Sequence, residues 1–203
     1  STARIVTRLL MAHGLRVGTY TSPHLERYNE RIRLDDEEID DETFAAMVEE
    51  LSLLEPMLTH RPSHFECLTA CALSLFASEA VDVAVVEVGV MGRFDATNVV
   101  TADVAVITNV GRDHTNFEGD WRRAIAHEKA GIIKPSSTVI LGETAPDLRD
   151  IFDGEGAARM LVAGEDFDLE ANRLAVGGRL LDLRTPYQRL EELFLPLHGA
   201  HQG

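Results

Sequence analysis

Three polar residues stand where a chain of this kind could hold an ion against a polyanion: Ser22, Glu87 and His114. Each follows a short apolar run rich in β-branched residues. Leu15–Tyr20 precedes Ser22, Val83–Val86 leads directly into Glu87, and Val104–Thr108 leads into the loop Asn109–His114. In an open parallel α/β sheet, ligands sit just beyond the carboxyl ends of the strands. A hydroxyl, a carboxylate and an imidazole could therefore converge at one sheet edge. That oxygen-rich set suits Mg²⁺ held with nucleotide phosphates, because Mg²⁺ takes few protein ligands and keeps its waters. It suits structural Zn²⁺ poorly, which prefers clusters of Cys and His. Each residue also has a structural explanation. Glu87 can be a solvated strand end, Ser22 can cap the turn before Pro23, and His114 can be an ordinary loop histidine. Lys129 is a fourth candidate. With Ile132 and Ile133 on its helix face, it either snorkels to water or is buried for a reason; spacing alone favours snorkelling.

These residues need elements to carry them. Apolar positions Ile5, Val6, Leu9, Leu10 and Met11 predict a helix over Thr2–His13, stopped by Gly14 as a left-handed residue. A strand, Leu15–Tyr20, and a polar turn, Thr21–His24, follow. Ile32–Leu34 predicts a short extended piece before the acidic turn Asp35–Glu38. Asp40 or Asp41 caps a predicted helix from Glu42 to Thr59. Pro62–Ser63 opens another, His64–Ser78, with Phe65, Leu68, Cys71, Ala72 and Leu75 on one face. Val83–Val86 and Val104–Thr108 predict strands buried on both faces and parallel within one sheet. Trp121–Ile132 and Asp147–Phe152 predict helices, with the strand Thr138–Leu141 between them. From Leu161 the segments are short. Leu174–Val176, Leu180–Leu183 and Leu193–Leu197, with Gly177–Gly178 as a hairpin signal, predict a small antiparallel appendage.

The totals set limits. A chain of 203 residues with 45% hydrophobic residues can bury a real core. Its 34 acidic and 19 basic residues give a net charge of −15, which argues against nonspecific nucleic-acid binding. No run has transmembrane length. Cys67 and Cys71, at i, i+4 spacing, predict free thiols on one helix face and fit a reducing, cytoplasmic compartment; a disulfide or metal pair is the weaker alternative.

Seven segments, in order, carry a family resemblance: Tyr20–Leu25 (YTSPHL), Glu30–Ile32 (ERI), Phe65–Ala70 (FECLTA), Glu87–Asn98 (EVGVMGRFDATN), Asp113–Thr115 (DHT), Glu128–Ile133 (EKAGII) and Leu195–Gln202 (LPLHGAHQ). On these the chain resembles the Mur ligase superfamily, and within it the bifunctional dihydrofolate synthase/folylpolyglutamate synthases. The resemblance implies a mostly parallel P-loop-type α/β sheet flanked by helices, with a small antiparallel β appendage near the C-terminus. It implies that residues 1–203 are a central ATP-binding domain. The first strand and phosphate loop would precede Ser1 and a C-terminal glutamate-ligase domain would follow Gly203, so the chain alone is expected to be inactive.

Roles follow from the same resemblance. Ser22, Glu87 and His114 resemble Mg²⁺ ligands, and Lys129 resembles a lysine carbamylated by CO₂ that supports a second Mg²⁺ alongside His114. That implication reverses the reading from spacing. Ser1 resembles the ATP-binding hydroxyl of the phosphate loop. Ser63, His64, Phe65 and Glu66, and Phe94, Asp95 and Ala96, resemble the segments that hold the pterin, with Phe65 offering a stacking face and Glu66 or Asp95 accepting from pterin N–H groups. Thr97 and Asn98 are expected to brace the turn. Met91, Arg112 and Glu118 depart from the family pattern without removing a proposed ligand. The expected activity is ATP-dependent addition of L-glutamate to dihydropteroate or folates by a monomer, with no nucleic-acid or membrane partner. Alternatives are a peptidoglycan Mur ligase, a non-catalytic nucleotide-binding module, and a dinucleotide site at Gly89-x-x-Gly92, whose glycine spacing fits that fingerprint poorly.

Overall fold

The structure is a computed structural model that describes residues 2–111, 119–197 and 199. The chain forms two compact units, Ser1–Val100 and Thr101–Gly203, and each has its own sheet.

In the first unit, α1 (Thr2–Ala12) leads to β1 (Val17–Tyr20) through Gly14, whose φ of 81° is the left-handed stop predicted for it. Helix and strand are joined by a buried hydroxyl pair, Thr7 and Thr19, with oxygens 2.7 Å apart. Arg4 and Arg8 of α1 both pair with Asp36, at 2.6 and 2.7 Å. Asp36 lies in the turn between β2 (Ile32–Leu34) and β3 (Glu37–Glu38). Burial alone pushes the Asp36 carboxyl up, but the two guanidiniums more than offset it and leave it below its ordinary value. β1 pairs antiparallel with β2 and parallel with β4 (Val83–Val86), giving the order β3-β2-β1-β4. This sheet is mixed, parallel between β1 and β4 and antiparallel at β2 and β3.

Asp40 caps α2 (Asp41–Ser52) by accepting from the Thr43 N–H at 2.7 Å. The helix ends earlier than predicted, and a 3-10 turn over Glu55–Met57 holds Pro56, which cannot continue a helix. α3 (His64–Ser78) has the predicted bounds. Its residues Leu68, Cys71, Ala72, Leu75 and Phe76 join Tyr20, Ile32, Ile39 and Met47 in the core.

In the second unit, β5 (Val104–Ile107), β6 (Thr138–Leu141) and β7 (Arg159–Val162) form a parallel sheet in that order. The helices α4 (Trp121–Ala130) and α5 (Arg149–Asp153) accompany it, tied by Arg123, which pairs with Asp150 at 2.7 Å. β8 (Asp168–Ala175), β9 (Gly178–Arg184) and β10 (Arg189–Leu195) make the predicted antiparallel appendage. Two expectations need correction. β5 hydrogen-bonds to β6, in a different sheet from β1 and β4. Nor are β4 and β5 buried on both faces: Ala84 is exposed, and Val104 and Val106 remain 55% and 41% exposed while Ala105 and Ile107 enter the core.

Candidate functional site

The parallel register of β1 and β4 brings their carboxyl ends side by side, with Tyr20 opposite Val86. The next residues therefore meet. The Glu87 N–H donates to the Tyr20 carbonyl at 2.8 Å. The Ser22 N–H donates to Glu87 Oε2 at 3.1 Å. Both side chains are partly exposed. Ser22, which bears a hydroxyl, and the carboxylate of Glu87 are thus neighbours at one sheet edge, two residues that offer hard oxygen donors. This donor set fits Mg²⁺, which takes one or two carboxylates together with waters and phosphate oxygens. Among the described residues no cluster of three His, Cys, Asp or Glu is arranged for a metal. His114 and Ser1 lie outside the described residues. Lys129 is partly buried in the last turn of α4, in the second unit.

Behind this pair lies an aromatic wall. Tyr20 is fully buried, and its ring centroid stands 5.8 Å from that of Phe65. Thr69 Oγ1 lies 2.8 Å from the Phe65 carbonyl and 3.3 Å from the Tyr20 hydroxyl. A threonine has one hydroxyl proton, so Thr69 donates to the carbonyl and accepts from Tyr20. Burial pushes the Tyr20 phenol above its ordinary value. The Phe65 ring packs over Gly89. A Cβ at Gly89 would stand 2.4 Å from Phe65 Cζ and 3.0 Å from Asp95 Oδ2, so the residue must be glycine for the ring to sit there.

The remaining sequence candidates divide by what they touch. Ser63 and Glu66 form a capping box on α3: the Ser63 N–H donates to Glu66 Oε2 at 2.6 Å and the Glu66 N–H to Ser63 Oγ at 3.2 Å. The hydrogen bonds with Ser63 hold the Glu66 carboxyl below its ordinary value. Asp95 accepts from the N–H groups of Val90 and Thr97, both at 2.9 Å, and from the Thr97 hydroxyl at 2.6 Å. Asn98 Nδ2 donates to the Arg93 carbonyl at 2.8 Å. Thr97 and Asn98 brace the turn as predicted, and Asp95 joins them. Ala96 is partly buried in that turn, Phe94 is 88% exposed, and His64 is exposed beside the Tyr28 ring.

Two carboxylates that sequence reasoning passed over organise loops here. Glu30 accepts from three consecutive amides, Leu25 at 2.9 Å, Glu26 at 2.7 Å and Arg27 at 2.6 Å. Those backbone bonds lower its pKa to about 2. It fixes the far end of the loop that begins at Ser22. Glu143 follows β6 and takes the N–H groups of Val110 and Ala145 and the guanidinium of Arg122. Burial alone would raise its pKa; the amides and Arg122 outweigh that and lower it. Glu143, Arg149, Ala163 and Glu165 border a cavity of about 280 Å³ beyond the ends of β6 and β7. A carboxylate two residues after a strand run was the available signal for Glu143; for Glu30 there was none beyond its place in the Glu30–Ile32 segment.

Fold and site define an α/β protein with a hydroxyl–carboxylate pair at the carboxyl edge of adjacent parallel strands. The chain belongs to the Mur ligase family, the Mur ligase middle domain matching residues 43–202. A dihydrofolate synthase/folylpolyglutamate synthase from Mycobacterium tuberculosis is 39% identical over 223 residues, covering all of this chain and 46% of that relative. The chain therefore spans about half that relative's length. The structure of Mycobacterium tuberculosis folylpolyglutamate synthase complexed with ADP superposes with a TM-score of 0.92 at 38% identity, covering 98% of this chain and 48% of that one. An FPGS–AMPPCP–folate complex gives 0.90 at 35% identity, covering 98% and 51%.

Proposed function

We propose that this chain is the central ATP-binding domain of a ligase that adds L-glutamate to dihydropteroate, to folates, or to both. The observation that carries the reading is the Ser22–Glu87 pair at the joined ends of β1 and β4, in a chain of this family. The substrate carboxylate attacks the γ-phosphorus of ATP, giving an acyl phosphate and ADP. The glutamate α-amine then displaces phosphate and forms the amide. The protein's part is alignment of carboxylate and phosphoryl group and neutralisation of charge. Ser22 and Glu87 are the residues to hold Mg²⁺, which when bound would supply positive charge against the phosphate oxygens; His114 is a further metal-ligand candidate by the family resemblance. Lys129 takes up CO₂ on its Nζ and loses a proton to become a carbamate, which adds two oxygens able to face a metal.

Ser1 belongs to the ATP-binding loop. The wall of Phe65 and its neighbours His64, Phe94 and Ala96 receives the pterin. Ser63, Glu66 and Asp95 hold that wall in shape, and the carboxylates of Glu66 and Asp95 are the candidate acceptors for pterin N–H groups. The reading includes a monomer in the cytoplasm. Both cysteines are free, and among the described residues no helix is long and apolar enough to cross a membrane.

The test is ADP formation by the full-length protein with dihydropteroate plus glutamate and with folate plus glutamate. ADP release that needs both the pteroyl acid and glutamate supports the reading. Release indifferent to either removes it.

A further inference from the structure

The loop between β1 and β2 carries an aromatic cluster that the Ser22–Glu87 pair does not use. The Tyr28 ring is 45% exposed. Its centroid lies 4.4 Å from His24, 5.0 Å from His64 and 6.4 Å from Phe44. Arg31 Cζ stands 5.9 Å from the same ring. Glu30 clamps the three amides just before Tyr28, so this ring is presented on a braced loop.

Arg31 is the unusual member. Its neighbours in the loop are matched with acids: Arg27 with Asp41, and Arg33 with Glu38. Among the described residues Arg31 has no carboxylate partner, in a chain with 34 acidic residues. It donates instead from Nε to His24 Nδ1 at 2.8 Å and also hydrogen-bonds the Tyr20 phenol. A guanidinium is a planar fork matched to a carboxylate. The Thr21 N–H donates to the Arg31 carbonyl at 2.9 Å, so Arg31 lies alongside the residue just before Ser22.

We propose that Tyr28 and Arg31 receive the aryl-carboxylate end of the acid substrate, the Tyr28 ring taking the arene and the Arg31 guanidinium the carboxylate. The inference rests on the folate-ligase reading and adds a subsite to it. His64 touches Tyr28 and adjoins Phe65 in sequence, so ring surface continues from the Phe65 wall to the loop. A substrate with a bicyclic head, an arene and a terminal carboxylate spans that surface with its carboxylate beside Ser22. Its negative charge supplies the acidic partner that Arg31, bonded only to neutral rings and hydroxyl, lacks among the described residues.

The test measures dissociation constants of dihydropteroate, folate, 6-hydroxymethylpterin and Mg-ATP for the full-length wild type and three variants. Hydroxymethylpterin shares the bicyclic head but has neither arene nor carboxylate. Tyr28→Leu should weaken dihydropteroate roughly three- to tenfold, the range of an aromatic pair. Arg31→Gln should weaken it about tenfold or more, as expected for a lost charge-assisted pair. Both should leave hydroxymethylpterin and Mg-ATP as in the wild type, and Tyr28→Phe should bind like the wild type. Unchanged dihydropteroate affinity, or equal losses for dihydropteroate and hydroxymethylpterin, overturns the proposal. If Arg31→Gln fails to fold, the Tyr28→Leu result decides. A wild type that binds neither dihydropteroate nor folate overturns the folate reading and this inference together; one that binds folate but not dihydropteroate, or normal wild-type binding with insensitive variants, removes only the inference.

Discussion

Lys129 is where residue type and position disagree most. Its spacing between apolar neighbours fits a snorkelling ammonium; the family resemblance calls for a carbamate. The two differ in their dependence on CO₂. If the carbamate is used, rigorous CO₂ depletion of the full-length protein lowers the ligation rate and bicarbonate restores it. Lys129→Ala then loses at least about two orders of magnitude, the scale of removing a charge-stabilising group from a reacting site. A CO₂-indifferent rate with an active Lys129→Ala variant returns Lys129 to the snorkelling class. Glu30 makes a separate prediction. Its folded pKa of about 2 lies below the ordinary glutamate value of 4.5. Its contribution to stability is therefore present above the unfolded value and lost as pH falls through the folded one. The Tm gap between wild type and Glu30→Gln should close between about pH 4.5 and about pH 2. A gap that stays constant over that interval would contradict the role of its three amides. Of the candidate site, the adjacency of Ser22 and Glu87 was legible because neighbouring parallel strands end on one edge. Ser63, Glu66 and Asp95 were harder. A serine three residues before a glutamate is both a capping box and a set of polar groups near a ring, and only geometry shows which neighbours it satisfies.

At the scale of elements, α3 offers the cleanest separation of structure from binding. Ser63→Ala removes the helix cap and should cost about 1 kcal/mol, lowering Tm with little change in dihydropteroate affinity. Phe65→Ala should weaken dihydropteroate more than ATP, because the ring faces Gly89 and Tyr20 at the wall of the site. Equal losses for both ligands would make Phe65 a core residue only; a large affinity loss for Ser63→Ala would give Ser63 a direct contact. Elements with strong local signals were legible: α3 from its cap and apolar face, the Gly14 stop, and the Gly177–Gly178 hairpin. β7 was not, since Arg159–Val162 is too short for a period to establish itself. α2 was read too long because its apolar pattern runs on through Leu53 and Leu54 to Pro56. Strand pairing was the deeper gap. Alternating strands and helices announce a parallel sheet, but which strands hydrogen-bond is settled by tertiary packing. That choice puts β5 beside β6 and gives β1 an antiparallel partner in β2.

For the whole molecule, a net charge of −15 has to coexist with the proposed reaction on polyanions, which requires positive charge to be local. Arg31 and the ion expected at Ser22–Glu87 are the means proposed here. What distinguishes this account from any other nucleotide-binding role is the acyl phosphate. Its formation moves one carboxylate oxygen of the acid onto phosphorus. The direct measurement uses dihydropteroate labelled with ¹⁸O in its carboxylate, with ATP and glutamate, and the full-length protein. The account predicts that one labelled oxygen appears in the inorganic phosphate for each amide formed. Unlabelled phosphate with normal amide formation would contradict it.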